Sequence, residues 1–174
     1  MAQAALNRFL AEVEKRAFAM AMVTIRNQDD ALDVVQDAML TLARKYAHKP
    51  EAEWRPLFFR ILKNRITDHH RGQGVRRKIF TWFSSADEDD PIDQASGPVS
   101  ATPEHALEQF RHRSDVATAL AQLPPRQREA FMLRAWEGMD VKETAAAMGV
   151  TSGSVKTHYS RAVHALRLIL EPEQ

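Results

Sequence analysis

The sequence predicts an all-α protein made of two small helical domains joined by a flexible acidic linker. Three observations lead there. Apolar residues recur at spacings of three and four through both flanks, and neither flank holds a sustained alternation with period two. Between them the stretch SSADEDDPIDQASGPVSATPE, Ser84 to Glu104, is rich in Asp, Ser, Ala and Pro and has no helical period, as a linker would. Charge divides along the same lines: residues 1–78 carry 15 Lys/Arg against 9 Asp/Glu, residues 79–104 carry none against 6, and residues 105–174 carry 9 against 8. The expected organisation is a first domain over 1–79, a linker over 80–104 and a second domain over 105–174. A basic first module suggests a polyanion as partner.

Composition excludes several classes. With 44% hydrophobic residues and six glycines in 174, the chain has material for real cores and is not a disordered one. It contains no cysteine, which rules out a disulfide framework and cysteine-ligated zinc or iron-sulfur sites and fits a reducing cytosol. No run approaches the length of a membrane span, and acids interrupt the N-terminal stretch where a secretory signal would be apolar. The expectation is a soluble cytoplasmic protein.

Residues 4–26 read as the first helix. In NQDDALDVVQDAMLTLARKY, Asn27 is placed to cap, Asp29 and Asp30 suit the positive N-terminal end, and Leu32, Val35, Met39, Leu42 and Tyr46 form an apolar stripe. Asp33, Gln36 and Asp37 mark the exposed side of that helix. Pro50 breaks the chain, and a third helix is expected from about Trp54 to Arg71, stopping at Gly72. The second module begins with a helix from Pro103 to Gln122, stopped by Leu123-Pro124-Pro125. Pro125 suits the first position of the next helix, which runs to Trp136, because no amide donor is needed there. Gly138 ends it, and helices over Val141 to Met148 and Ser152 to Leu170 flank Gly149-Val150-Thr151.

Those last two helices have the requirements of a helix-turn-helix: Ala145 small at the crossing, Gly149 able to take positive φ, and Met148, Val150 and Val155 to lock the pair, with Thr151 or Ser152 as N-cap. Val155, Tyr159, Ala162, Val163 and Leu166 face inward. Ser154, Lys156, Thr157, His158, Ser160 and Arg161 are left for solvent or a DNA groove, and residues 152–168 contain no acid. In the first module, RILKNRITDHHRGQGVRRK from Arg60 to Lys78 holds seven Lys/Arg and one acid, a density that neutralises phosphates. Trp54, Phe58 and Phe59 lie just before it. Most of these aromatics read as core, and Trp54 is a candidate to stack on an unpaired base.

Enzymatic chemistry finds no support. The histidines at 69, 70, 105 and 112 lack metal-ligand spacing, and the adjacent His69 and His70 are expected to point apart on a helix. Gly72-Gln73-Gly74 follows no strand and lacks GxxxxGK[ST], so it is not a phosphate loop. No metal and no cofactor are expected.

Over nearly its full length the chain resembles the extracytoplasmic-function (ECF) group of bacterial RNA polymerase sigma factors. Asp30-Ala31-Leu32-Asp33-Val34-Val35-Gln36-Asp37 looks like that family's polymerase-binding helix. Phe59-Arg60-Ile61-Leu62-Lys63-Asn64, followed by Asp68 and Arg71, looks like the surface that binds the −10 promoter element. Leu123-Pro124-Pro125-Arg126-Gln127-Arg128-Glu129, running on to Ser154-Val155-Lys156-Thr157, looks like the domain that reads the −35 element.

The resemblance implies roles. Asp33, Gln36 and Asp37 would face the clamp helices of the largest polymerase subunit, and the second module would meet the flap of the second-largest subunit. Lys45, Trp54, Arg60, Lys63, Asn64, Arg65, Asp68 and Arg71 would bind −10 DNA and a flipped base. Arg126, Ser152, Ser154, Lys156, Thr157, His158, Ser160 and Arg161 would bind the −35 duplex. The partners implied are core polymerase, promoter DNA and an inhibitory anti-sigma protein, with no membrane insertion, in the nucleoid-associated cytoplasm. His158-Tyr159 departs from the Arg or Leu that family members often carry there. A linker of roughly 26 residues spans about 28 Å as a coil, against about 70 Å between promoter elements two duplex turns apart, so a large partner must splay the modules. The rival is a stand-alone helix-turn-helix regulator, which leaves the first module and its Asp-Gln-Asp stripe idle.

Overall fold

The computed structural model describes residues 1–83 and 115–171, with side chains placed for 1–72 and 115–171. The acidic linker with Asp87, Glu88, Asp89 and Asp90, and the histidines at 105 and 112, lie outside the described residues. Every described regular element is a helix: α1 Ala2–Ile25, α2 Gln28–Lys45, α3 Glu51–Phe83, α4 over 115–122, α5 Pro125–Phe131 continuing as a π-helical turn Met132–Trp136, α6 Val141–Met148 and α7 Ser152–Leu170.

Local chemistry sets the boundaries. α1 ends where Arg26 adopts the left-handed conformation, φ 56°, its amide donating back to the Met22 carbonyl. Asn27 Oδ1 then accepts from the Asp30 amide at 3.0 Å, and Asp29 and Asp30 sit at the positive end of α2 while Arg44 and Lys45 occupy its last turn. α3 begins earlier than expected, at Glu51, and does not stop at Gly72: it continues to Phe83. A single glycine inside a helix costs only about 1 kcal/mol, too little to end one without a capping partner.

α1, α2 and α3 share one core. Phe58 is fully buried, with Phe59 edge-on at a centroid distance of 5.2 Å and Phe9 at 6.1 Å. Burial of such a ring contributes about 2–3 kcal/mol. The buried stripe of α2 is Ala31, Val34, Val35, Ala38 and Leu42, one residue round from the expected stripe. Leu32 is 42% exposed and lies beside Asp33 on the outer side. Alanines explain the rotation: Ala31 and Ala38 have no exposed surface, so α2 approaches its neighbours through its smallest residues.

In the second module Leu120, Leu133, Met139, Met148 and Val155 are the largest buried apolar side chains. Asp140 caps α6 through its Oδ1, 2.7 Å from the Glu143 amide. Gly149, φ 69°, takes the left-handed conformation that ends α6, and its amide and that of Val150 both return to the Ala145 carbonyl. Thr151 Oγ1 accepts from the Ser154 amide at 3.2 Å and starts α7. The turn geometry expected of a helix-turn-helix is therefore present.

The two modules touch. Helices α3 and α6 pack against each other, and Arg16 and Arg55 of the first module both reach Glu137 of the second. Between α1, α3 and α5 lies a cleft of about 930 Å³ with Met20, Phe59, Leu62 and Met132 among its apolar walls.

Candidate functional site

The outer face of α2 carries Asp33, Gln36 and Asp37, all exposed, with Leu32 and the 49% exposed Leu40 alongside. Polar and apolar groups on one unpartnered side suit a protein surface better than bulk water alone. Asp37 is engaged from behind: Arg65 Nε of α3 lies 2.6 Å from its Oδ2, and the same guanidinium lies 3.8 Å from Asp68 and 3.4 Å from Thr41 Oγ1. A residue expected to meet polymerase and one expected to meet DNA are thus ion-paired across α2 and α3.

The cleft gathers much of the basic set. Lys63, Asn64, Arg65, Asp68 and Arg71 of α3 line it with Arg126 of α5. Arg128, not singled out in the sequence, joins them; its guanidinium is pushed below its ordinary pKa by burial. Glu129 is the acid among these cations, its side chain 13% exposed. Loss of hydration raises its pKa to about 7, while Lys63, Arg126 and Arg128 pull it back. The Lys63 contact is long, 3.8 Å, too weak to offset the desolvation. His70 is lowered by burial first, then by His69 and Arg128.

Two expectations are corrected. Trp54 is only 3% exposed: its ring packs on Phe9 at 6.0 Å and its Nε1 donates to the Tyr46 carbonyl at 3.2 Å. It is a core residue that pins the α2–α3 connection, and its face is not offered to a base. His69 and His70 do not point apart, since their rings lie 5.7 Å from each other, with His69 Nε2 3.7 Å from Asp30. Among the described residues no group of three or more metal-ligating side chains is present. Arg60, exposed, and Lys63, half-buried, lie on the side of α3 that meets the second module. The Arg60 guanidinium lies over Gly149, where an added Cβ would come within 3.0 Å of it, and Lys63 Nζ donates to the Met148 carbonyl at 3.4 Å. Lys45 is exposed in the last turn of α2 and does not line the cleft.

The second module presents α7 outward. Ser152, Lys156, Thr157, Ser160 and Arg161 are exposed, Ser154 and His158 half-buried, while Val155, Ala162 and Leu166 are buried. Tyr159 is fixed by stacking on Phe131 at 6.0 Å with the Arg134 guanidinium above its ring at 5.6 Å. Arg126 Nη1 donates to the Met148 carbonyl at 3.0 Å, so this residue closes the end of α6 as well as lining the cleft.

An exposed polar-apolar face on α2, a basic α3, and a helix-turn-helix with an acid-free outer helix are the features of a DNA-binding transcription protein. Comparison with known proteins makes this specific. The model for "Sigma-70 region 2" matches residues 7–76 and that for "Sigma-70, region 4" matches residues 113–166. The RNA polymerase sigma-E factor of Streptomyces antibioticus is 34% identical over 143 residues, 82% of this chain and 71% of that protein. The ECF RNA polymerase sigma factor SigL of Mycobacterium tuberculosis is 29% identical across 98% of this chain and 92% of its own length. Among solved structures, the sigma factor RpoE in complex with the anti-sigma factor NepR from Bartonella quintana superposes with a TM-score of 0.66 at 25% identity, covering 97% of this chain and 98% of that one. CnrH, solved with the cytosolic domain of CnrY, shares the fold at 24% identity and a TM-score of 0.62.

The chain belongs to the ECF family of RNA polymerase sigma factors. It is an alternative sigma factor: it binds core polymerase, directs it to promoters through their −10 and −35 elements, and promotes melting and initiation. No described helix is long and apolar enough to cross a membrane.

Proposed function

We propose the following division of labour among the residues. Asp33, Gln36 and Asp37, with Leu32 beside them, dock on the clamp helices of the largest polymerase subunit. Lys63, Asn64, Arg65, Asp68 and Arg71, with Arg60 and Lys45, hold the phosphates and unpaired bases of the −10 strand. Ser152, Ser154, Lys156, Thr157, His158, Ser160 and Arg161 enter the major groove of the −35 element, with Arg126 at their edge. The first domain is taken as 1–79, the second as 105–174, and the acidic residues 80–104 as the connector that polymerase threads between them.

The observation that carries this reading is the placement of α7. Its capped N-terminus, fixed by Thr151 and the Gly149 turn, projects an acid-free polar face while Val155, Ala162 and Leu166 are buried on the other side. Helix N-terminal side chains aimed outward are what major-groove reading requires. The protein works in the nucleoid without catalysing a reaction of its own, and with no cofactor. Because RpoE was solved with the anti-sigma factor NepR, an anti-sigma protein is the expected partner here too.

Run-off transcription with purified core on a library of promoter fragments tests the assignment. Wild-type chain selects fragments with a common −35 motif, and Lys156→Glu with Arg161→Glu abolishes that selection. Equal transcription by the double variant from the same fragments overturns the role of α7.

A further inference from the structure

The contact between the modules is built around one carboxylate. Glu137 follows the π-helical turn of the second module, and its side chain has no exposed surface. Arg16 Nε of α1 lies 3.2 Å from its Oε1, and Arg55 of α3 lies 3.4 Å from its Oε2 and donates to its main-chain carbonyl as well. Both arginines belong to the other module. A carboxylate stripped of water stays charged only where cations replace its hydration, so the buried position of Glu137 depends on the modules being together. Arg16 and Arg55 remain 48% and 34% exposed. Water therefore already reaches the cluster from one side, and the three ions rehydrate readily when it opens.

What the contact covers gives it meaning. With Glu137 gripped, the Arg60 guanidinium, though still exposed, lies over Gly149, and the half-buried Lys63 is held between Glu129 and the Met148 carbonyl. We infer that the Arg16–Glu137–Arg55 cluster is a latch that holds the second module closed over α3 in the free chain, and that polymerase must release it before α3 meets the DNA strand. The second half rests on the proposed role of α3. Buried ion clusters are close to break-even against their hydrated parts, which makes such a latch strong in geometry and easy to displace. The cost of opening falls on DNA binding: apparent affinity is reduced by the fraction of chains that are open.

The absence of native cysteine allows a clean test. Glu14→Cys and His164→Cys place one thiol on an exposed site of each module for a donor and acceptor dye. Energy transfer is followed against salt in the full chain, in Glu137→Gln, and in Arg16→Ala with Arg55→Ala, which breaks the cluster from the other module and guards against local misfolding of the first variant. Arg8→Ala removes an exposed α1 cation away from the cluster as control. The latch predicts that both cluster variants open at lower salt than wild type and the control. It also predicts that they bind a fluorescent single-stranded oligonucleotide of random sequence about tenfold more tightly. Salt curves that overlay the wild type in both variants overturn the latch. Earlier opening without tighter oligonucleotide binding supports the latch and overturns the assignment of α3 to DNA.

Discussion

Glu129 is the residue whose chemistry reaches furthest. Its carboxyl titrates near 7 in the folded chain against an ordinary 4.5, because burial disfavours the charge more than Lys63, Arg126 and Arg128 restore it. The folded state therefore binds this proton more tightly than the unfolded state. Its stabilising effect is complete below pH 4.5 and is lost as pH rises to about 7, a loss of roughly 3 kcal/mol at most. Glu129→Gln keeps the shape without the charge. It should raise stability at about pH 8 and flatten the slope between about pH 5 and 7, read by urea denaturation. An unchanged slope would place the proton elsewhere. Residue identity was a partial guide to such environments. Asp33, Gln36 and Asp37 were legible as surface because three polar groups share one helical side. Trp54 was misread, although Trp54, Phe58 and Leu62 share one buried stripe at spacing four. An aromatic beside basic residues serves a base or a core equally well, and only that spacing decides.

Elements were more legible than single residues, since caps act locally. Asn27, Pro125, Gly149 and Thr151 each bound a helix where a short polar, proline or glycine residue suggested one. The end of α3 was not legible, because Gly72 lacks both positive φ and a steric neighbour and so terminates nothing. The π-helical turn Met132–Trp136 had no sequence signature either; it is the local adjustment that carries Glu137 inward, its amide donating to the Met132 carbonyl at 3.1 Å. At this scale Thr151→Ala is informative. Losing the bond to the Ser154 amide should cost about 1 kcal/mol and lower Tm by roughly 2–4 °C in a thermal melt. On the proposed role of α7, binding of −35 duplex by the holoenzyme should weaken with it, because its N-terminal turn is the part proposed to reach the bases.

For the whole molecule, the two helical modules were readable from periodicity and charge, but their mutual contact was not. Arg55 and Glu137 are 82 residues apart, and an ion pair at that separation leaves no periodic trace in a sequence. The sequence argued that a coil cannot hold the modules at promoter spacing; the structure adds that they hold each other. Both considerations make the free chain a poor reader of promoters and give polymerase the task of separating the halves, with Asp33, Gln36 and Asp37 proposed to anchor the first.

Strand opening followed by permanganate reactivity of unpaired thymines tests that claim most directly, on a promoter selected by run-off, with the chain alone, core alone and both together. Opening should occur only in the mixture, and Asp37→Arg should abolish it while leaving the helical content of the chain unchanged. Opening by the chain without polymerase, or undiminished opening with Asp37→Arg, would contradict the account.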